Sequence, residues 1–147
     1  MKAFKHILVP TDFEPASRDA LEHAVSIAKR FDARVTLLHV WEVPIYPYMD
    51  FMLNTTLISR VEDAATQRLA SSLEQLQKEV PGASAVLKHG MPSGTILDAI
   101  DEIEPDLIVM GTHGRHGVSR TFLGSVAEKV VRSSKVPVLT VHASKPQ

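Results

Sequence analysis

A glycine-rich segment in the last third of the chain has the composition of a phosphate-binding loop. Residues 110–125 read MGTHGRHGVSRTFLGS and contain four of the seven glycines of the protein. Glycine lets backbone N–H groups approach an anion, and a helix that begins after the loop adds unpaired N–H groups and the positive end of its dipole. The segment also holds side chains that are basic or can become so, at His113, Arg115, His116 and Arg120. These features predict a site for phosphate.

The loop lies between a predicted strand and a predicted helix. Residues 107–110 are apolar throughout, as in a strand buried on both faces, and residues 125–133 have apolar side chains at helical spacing. A second turn, residues 10–12 (Pro-Thr-Asp), follows another apolar run at 4–9. In a doubly wound sheet, ligands bind beyond the carboxyl ends of the strands, where the strand order reverses. We therefore expect residues 10–12 and the glycine loop to face one crevice.

Strand-like and helix-like segments alternate along the rest of the chain. We predict strands at 4–9, 35–40, 84–88, 107–110 and 136–141, and helices at 15–31, 57–79, 94–103 and 125–133. This alternation favours a single α/β domain over residues 1–147, an open five-stranded parallel sheet with helices on both faces. Pro137 lacks a ladder donor, so the last strand should be an edge, and pairing of Val136–Val141 with its own copy would give a homodimer.

Residues 41–55 interrupt the alternation and are predicted to form a long loop. Prolines at 44 and 47 oppose a regular element in the middle of it. The segment is rich in aromatic side chains, which are common at protein interfaces: Trp41, Tyr46, Tyr48 and Phe51. The segment could stack on a nucleotide base, but we rather expect it to cover the end of the second strand or to contact a protein partner that the sequence does not identify.

Composition excludes several classes of function. The net charge of −1 gives no global attraction to nucleic acid or to an anionic membrane. The absence of cysteine excludes disulfides and thiolate metal sites. No apolar run approaches the ~20 residues of a membrane span, and the run at 7–9 is too short for the core of a signal peptide. We expect a cytoplasmic protein.

The glycine spacing distinguishes this loop from two common phosphate loops. It is not a Walker A loop, because the chain has no Gly-Lys-Ser/Thr triplet. It is not the dinucleotide-binding fingerprint either, because that glycine motif follows the first strand of its βαβ unit. The pattern Gly111-x2-Gly114-x9-Gly124-Ser125 resembles that of universal stress proteins of the ATP-binding branch. The resemblance covers the whole chain, from HILVPTD at 6–12, through the layout of five strands, to VPVL at 136–139.

The resemblance implies a Rossmann-like sheet of strand order 3-2-1-4-5, like that of the adenine nucleotide alpha hydrolases, which dimerises through its last strand and binds ATP. By matching position, Asp12 and the backbone of Val40 would contact adenine, while Pro10 and Gly111 would lie against the ribose. The phosphates would be held by Gly114, Gly124, Ser125 and Val126. The expected cofactor-binding set also includes Thr11, Met110, His113, Arg115 and His116. Mg²⁺ or Mn²⁺ would bridge the phosphates, with most ligands from water and phosphate.

Simpler roles compete with these assignments. The glycines could form an ordinary surface loop, Asp12 could be a turn or cap residue before the first helix, and Ser125 could be the N-cap of the last helix. His113 and His116 are spaced for a metal, but no third ligand lies near them in the sequence. We therefore predict no metal site made by the protein alone.

The function expected from these features is that of an ATP-binding switch in the stress response. ATP would order the loop at 111–124 and change the surface that a partner reads. Hydrolysis should be slow or absent, because Asp12 is expected at the adenine end and no other base is evident. One alternative is a dimeric interaction module that binds no nucleotide. The intact glycine pattern argues against this alternative. Another is an ATP-using enzyme such as an adenylyl-transferring synthetase, whose Ser-Gly-Gly loop is replaced here by residues 10–13, Pro-Thr-Asp-Phe.

Overall fold

The fold is a parallel sheet with helices on both faces. The computed structural model describes residues 3–44, 46–112 and 123–144. The elements are β1 His6–Pro10, α1 Pro15–Phe31, β2 Arg34–Trp41, α2 Phe51–Glu79, β3 Ser84–His89, α3 Pro92–Ile103, β4 Leu107–Gly111, α4 Ser125–Ser133 and β5 Val138–Val141. All strand pairs are parallel and their order is β3-β2-β1-β4-β5. The predicted fold class and strand order are confirmed.

The central strands are buried on both faces, as their continuous apolar sequence predicts. Side chains of successive residues point to opposite faces of a strand, so β1 contributes to two separate cores. Ile7 and Val9 pack with α1 and α2, whereas Leu8 packs with α3 and α4. The helices therefore cover the sheet in two layers, with α1 and α2 on one face and α3 and α4 on the other.

The edge position of the last strand is also confirmed. β5 pairs with β4 alone among the described strands, and it begins at Val138, directly after Pro137. The carbonyl of Pro137 still accepts a hydrogen bond from the Ile108 N–H at 2.9 Å. Proline can serve here because a ladder acceptor is needed at this position and a donor is not. The regular strand is two residues shorter at its start than predicted.

The prediction of a loop over all of residues 41–55 is wrong at both ends. Trp41 is the last residue of β2 and is buried, with its ring 5.6 Å from that of His89. At the other end, α2 begins at Phe51, where Asp50 accepts a hydrogen bond from the Leu53 N–H at 2.8 Å. A side-chain cap of this kind stabilises the first turn of a helix, so α2 can begin at Phe51 although Pro44 and Pro47 precede it.

Among the helices in the described ranges, none has the length together with the apolar character that crossing a membrane requires.

Candidate functional site

The two central strands part at their carboxyl ends. Registered pairs between β1 and β4 stop at Leu8 and Ile108. Beyond that point β1 follows β2, since the Thr11 N–H donates to the Leu38 carbonyl at 2.8 Å. β4 follows β5 in the same way, since the Thr112 N–H donates to the Val141 carbonyl at 3.0 Å. The strand order reverses between β1 and β4, so this is the position at which an open α/β sheet forms a ligand crevice.

One wall of the crevice is apolar and comes from three different elements. Val40 near the end of β2, Met110 near the end of β4 and Val126 in the first turn of α4 belong to one hydrophobic cluster on the α3 and α4 face. Val40 and Val126 are only partly buried, so they are accessible at the rim of this cluster. Pro10 is buried at the end of β1. Four residues of the predicted site thus lie at the carboxyl edge of the sheet, and three of them share one cluster.

Gly111 has a steric role that its place in the glycine pattern did not reveal. A Cβ atom added to it would lie 2.6 Å from the carbonyl carbon of Ala16, 2.8 Å from the Ala16 Cβ and 2.8 Å from the Ser17 nitrogen. Real Cβ atoms do not approach other atoms so closely, and two of these three atoms belong to the backbone of α1. Only glycine therefore lets the start of α1 lie directly against the end of β4.

Ala16 is the residue that the sequence interpretation omitted from this arrangement. A signal for it was present, because Ala16 extends the alanines at 20, 24 and 28 by one helical turn, and all four are buried. Small side chains repeated every fourth residue allow a helix to approach a sheet closely. This row holds α1 near β4 and so fixes one side of the crevice.

The turn at residues 11–14 uses the polar side chains predicted to contact ligand. Asp12 Oδ1 accepts hydrogen bonds from the Glu14 N–H at 2.9 Å and from the Ser17 hydroxyl at 2.8 Å. Thr11 Oγ1 accepts from the Phe13 N–H at 3.0 Å and donates to Ser17 Oγ at 3.2 Å. Asp12 is thus a turn residue, one of the simpler roles considered for it, while the N-cap of α1 is Glu14. Its carboxylate nonetheless remains exposed at the crevice edge.

His39 supports this turn from the neighbouring strand. Its Nδ1 lies 2.7 Å from the Thr11 carbonyl oxygen, which can only accept, so Nδ1 carries the proton of that bond. Its ring lies 4.4 Å from the ring of Phe13, a residue held at a positive φ of 66°. Burial lowers the pKa of His39, and the charge of Arg68 lowers it further, against the opposing effects of the Thr11 bond and Asp12. The imidazole therefore favours its neutral form, with one nitrogen committed to Thr11.

The first turn of α4 presents backbone donors to the crevice. The first hydrogen bond of this helix runs from the Glu128 N–H to the Gly124 carbonyl at 3.0 Å. The N–H groups of Ser125, Val126 and Ala127 precede it, so they have no carbonyl partner within the helix. Ser125 is exposed and is the first helical residue, whereas the N-cap is Gly124. The alternative role of Ser125 as the N-cap is therefore wrong.

The remainder of the predicted phosphate loop lies outside the described residues. This holds for four members of the predicted site, namely His113, Gly114, Arg115 and His116. The described part ends at Thr112 before the loop and resumes at Leu123 after it. Within the described residues of this segment, the backbone donors that a phosphate could use are therefore those at the start of α4.

Comparison with known proteins identifies close relatives along the whole chain. The model of the universal stress protein family matches residues 3–142. A universal stress protein of Methanocaldococcus jannaschii is 35% identical over 144 residues, which cover 97% of this chain and 84% of that protein. The structure of the universal stress protein UspA from Lactobacillus plantarum matches with a TM-score of 0.83 at 28% identity, covering 96% of this chain and 99% of the other.

Two more distant structures of the same fold contain nucleotides. One is a universal stress protein in complex with cAMP, with a TM-score of 0.70 at 23% identity, covering 97% of this chain and 100% of that one. The other is a universal stress protein family protein from Arabidopsis thaliana with AMP bound. It matches with a TM-score of 0.67 at 20% identity, covering 95% of this chain and 92% of that one. At these identities the likeness concerns the fold.

Proposed function

We propose that this chain, which belongs to the universal stress protein family, binds ATP in the crevice between β1 and β4 and acts as a nucleotide-dependent regulatory switch. The observation that carries the proposal is the convergence of three features at one edge of the sheet. These are the parted ends of the two central strands, the apolar wall around Val40 and Met110, and the N–H groups at the start of α4 that have no carbonyl partner within the helix. An apolar pocket beside a helix N-terminus suits a ligand with an aromatic base at one end and phosphates at the other.

We assign the residues at this edge to successive parts of the ATP molecule, from the adenine through the ribose to the phosphates. Adenine would pack on the wall around Val40 and Met110, within reach of the backbone of Val40 and the exposed carboxylate of Asp12. The ribose would lie against Pro10 and Gly111, beside the Thr11 turn. The phosphates would accept hydrogen bonds from Ser125 and Val126, next to Gly124. The loop residues His113, Gly114, Arg115 and His116 would complete the phosphate end, and Mg²⁺ or Mn²⁺ would bridge the phosphates.

Regulation is favoured over rapid turnover by the chemistry of the described side chains. Asp12 is exposed at the crevice edge, and its Oδ1 is occupied by the turn. It would also lie at the adenine end, away from the terminal phosphate, where a base or water-orienting group is required. The fold is compatible with an adenine ligand, since two proteins that share it contain cAMP and AMP. We therefore propose ATP-dependent ordering of the loop, with slow or no hydrolysis, in a cytoplasmic protein.

Identification of the bound nucleotide tests this function directly. Protein purified without added nucleotide is denatured, and the released ligand is identified by chromatography and mass spectrometry. ATP and AMP are then titrated calorimetrically into stripped protein. We expect co-purified ATP or micromolar binding, a free energy of about −8 kcal/mol. Absence of both would contradict the proposal and favour the interaction module, whereas multiple turnovers of radiolabelled ATP would favour the enzyme.

We also propose that the protein is a homodimer joined through β5. This strand is an edge, and Leu139 on it is 40% exposed. Pairing with a second copy would satisfy the open edge. Leu139→Lys should shift the protein from dimer to monomer in sedimentation velocity, because two charges would meet at the paired strands. Val131→Lys is the matched control, since Val131 is similarly exposed, at 43%, but lies on α4. A monomeric wild type, or a dimer unaffected by Leu139→Lys, would contradict this proposal.

A further inference from the structure

A second cavity lies on the face of the sheet that carries α1 and α2. It is an open groove of about 440 Å³ between α1 and α2. Its apolar floor is made by Phe13, Leu21 and Leu37. These three residues belong to the core under α1 and α2, whereas the crevice wall belongs to the core under α3 and α4. The floor of the groove and the apolar wall of the crevice therefore lie on opposite faces of the sheet, although Thr11, in the turn after β1, also lines the groove.

Two arginines from different helices both contact Phe13 in the floor of this groove. Arg18 of α1 donates from Nε to the Phe13 carbonyl at 3.1 Å, and the guanidinium carbon of Arg68 in α2 lies 4.5 Å from the centre of the Phe13 ring. Both groups are thus anchored on one residue. Within the described ranges neither guanidinium forms an ion pair with a carboxylate, and the groove lining contains no acidic residue.

The geometry of the anchors leaves hydrogen-bond donors available. The single bond from Arg18 Nε leaves its two terminal nitrogens unused among the described residues. Arg68 stacks on the face of an aromatic ring, an arrangement in which the N–H groups at the edge of the guanidinium can still bind an oxyanion. Arginine forks match phosphate and carboxylate oxygens in two-pronged contacts. The two side chains together present two positive charges to the groove.

Uncharged donors line the same wall of α2. Ser71 and Ser72 follow Arg68 by three and four residues, so they share its helical face and also line the groove. Their hydroxyls form no hydrogen bond in the described part of the structure. Elsewhere in α2, the hydroxyls of Thr55, Thr56 and Thr66 donate to the carbonyl four residues earlier, at 2.8, 3.0 and 2.8 Å. The two serines at the groove lack this local bond and remain available to a ligand.

We propose that this groove binds a small molecule that carries a phosphomonoester. Such a group has a charge near −2 at neutral pH, which two guanidinium groups neutralise, and its three oxygens can accept from both arginines and from the serine hydroxyls. The apolar remainder of the ligand packs on Leu21 and Leu37. The site differs from the nucleotide crevice in its face of the sheet and in its donors, which are side chains instead of the backbone of a helix.

Titration with phenyl phosphate tests the proposal, with inorganic phosphate and benzoate as companion probes at constant ionic strength. Binding is followed by calorimetry and by the NMR signals of the arginine side chains. We expect saturable millimolar or tighter binding of phenyl phosphate, weaker binding of inorganic phosphate, and the weakest binding of benzoate. Benzoate binding as tight as that of phenyl phosphate would overturn the phosphomonoester assignment. The absence of saturable binding by any probe would overturn the site.

Variants assign the binding to the two arginines. Arg68→Gln and Arg18→Gln should each weaken phenyl phosphate binding by about tenfold or more, as expected for loss of a charge-assisted contact. Arg60→Gln is the control, since Arg60 lies on the same helix, is exposed and does not line the groove. Equal weakening in this control would indicate nonspecific charge attraction and overturn the proposal.

Two milder variants cover the case in which loss of an arginine disturbs folding. Ser72→Ala removes a hydroxyl that forms no hydrogen bond with any described residue, and it should weaken binding about threefold with an unchanged melting temperature. Arg68→Lys keeps the charge over Phe13 but removes the planar fork, so its affinity should lie between those of the wild type and Arg68→Gln. Wild-type affinity in both variants would overturn the proposal.

The groove and the ATP site can be tested separately. Phenyl phosphate should bind the groove when ATP is saturating, and it should bind a Gly124→Ala variant as well as it binds the wild type. Loss of phenyl phosphate binding in either experiment would assign the phosphate to the crevice and overturn the groove. Loss of ATP binding with phenyl phosphate binding intact would leave the groove supported whatever happens to the proposed function.

Discussion

Gly124→Ala should weaken ATP binding by about tenfold to one hundredfold. Gly124 is the N-cap of α4 and has φ 80° and ψ 152°, a conformation that glycine alone adopts readily. Alanine there costs roughly 1–3 kcal/mol, or the backbone must rotate to avoid the cost. Rotation would redirect the N–H groups of Ser125 and Val126, which are the proposed phosphate donors. Calorimetric titration of ATP into stripped protein measures the loss.

Gly82→Ala is the control for this substitution. Gly82 follows α2, and an added Cβ would meet nothing within 4 Å. The affinity of Gly82→Ala for ATP should equal that of the wild type. The far-ultraviolet circular dichroism spectra of Gly82→Ala, Gly124→Ala and the wild type should be the same. Wild-type affinity in Gly124→Ala, with the wild type itself binding ATP, would show that the start of α4 does not hold the phosphates. The proposed order of the ligand in the crevice would then be wrong.

Gly111→Ala should lower the free energy of unfolding by about 3 kcal/mol, in the range found for overpacked cores. The new methyl group would overlap the backbone of Ala16 and Ser17 at 2.6 to 2.8 Å. A flexible side chain could turn aside, but the backbone of α1 can yield only if the helix moves away from β4. Such a movement would also disturb the alanine row that packs on the sheet. Urea unfolding without nucleotide measures the change independently of ligand binding.

Gly94→Ala should not lower the free energy of unfolding and serves as the control for Gly111→Ala. Gly94 lies within α3, and an added Cβ would meet nothing within 4 Å. Alanine is favoured over glycine in a helix by about 0.8–1.0 kcal/mol, so this variant should be as stable as the wild type or more so. If Gly111→Ala unfolded at the wild-type urea concentration, α1 would not lie as close to β4 as the structure places it. Gly111 would then be explained by the ligand alone.

Much of the fold was predictable because it depends on local patterns. Burial on both faces produces uninterrupted apolar runs, and the run Ile7-Leu8-Val9 before Pro10 favours a strand buried on both faces of a parallel sheet. The start of α1 at Pro15 follows from the preference of proline for the first helical turn, and its end near Phe31 follows from the spacing of its alanines. Residues 51–55 were predicted as loop, but they are helical. The sequence signal for the helix was a single capping residue, Asp50, close to two prolines that oppose helix formation.

The candidate site was only partly predictable because its members act through neighbours distant in sequence. The sequence indicated that residues 10–12 and the start of α4 would lie at one edge, since both follow strands of a parallel sheet. It did not indicate that Asp12 would bond to Ser17, that Gly111 would lie against Ala16, or that Gly124 and not Ser125 would cap α4. Each of these depends on distances between backbones that only packing sets.

The sequence by itself determined the class of sheet, the strand order implied by the family resemblance, and the presence of a glycine-rich loop before α4. The class of sheet and the glycine-rich loop depend on hydrophobic period and on the conformational freedom of single residues, both of which can be read along the chain, whereas the strand order followed only from the resemblance. Only the tertiary structure decided that Arg18 and Arg68, fifty residues apart, both contact Phe13 in a groove whose described lining contains no acidic residue. The physical reason is that a charge pattern becomes a binding surface only after two helices have packed on the same face of a sheet.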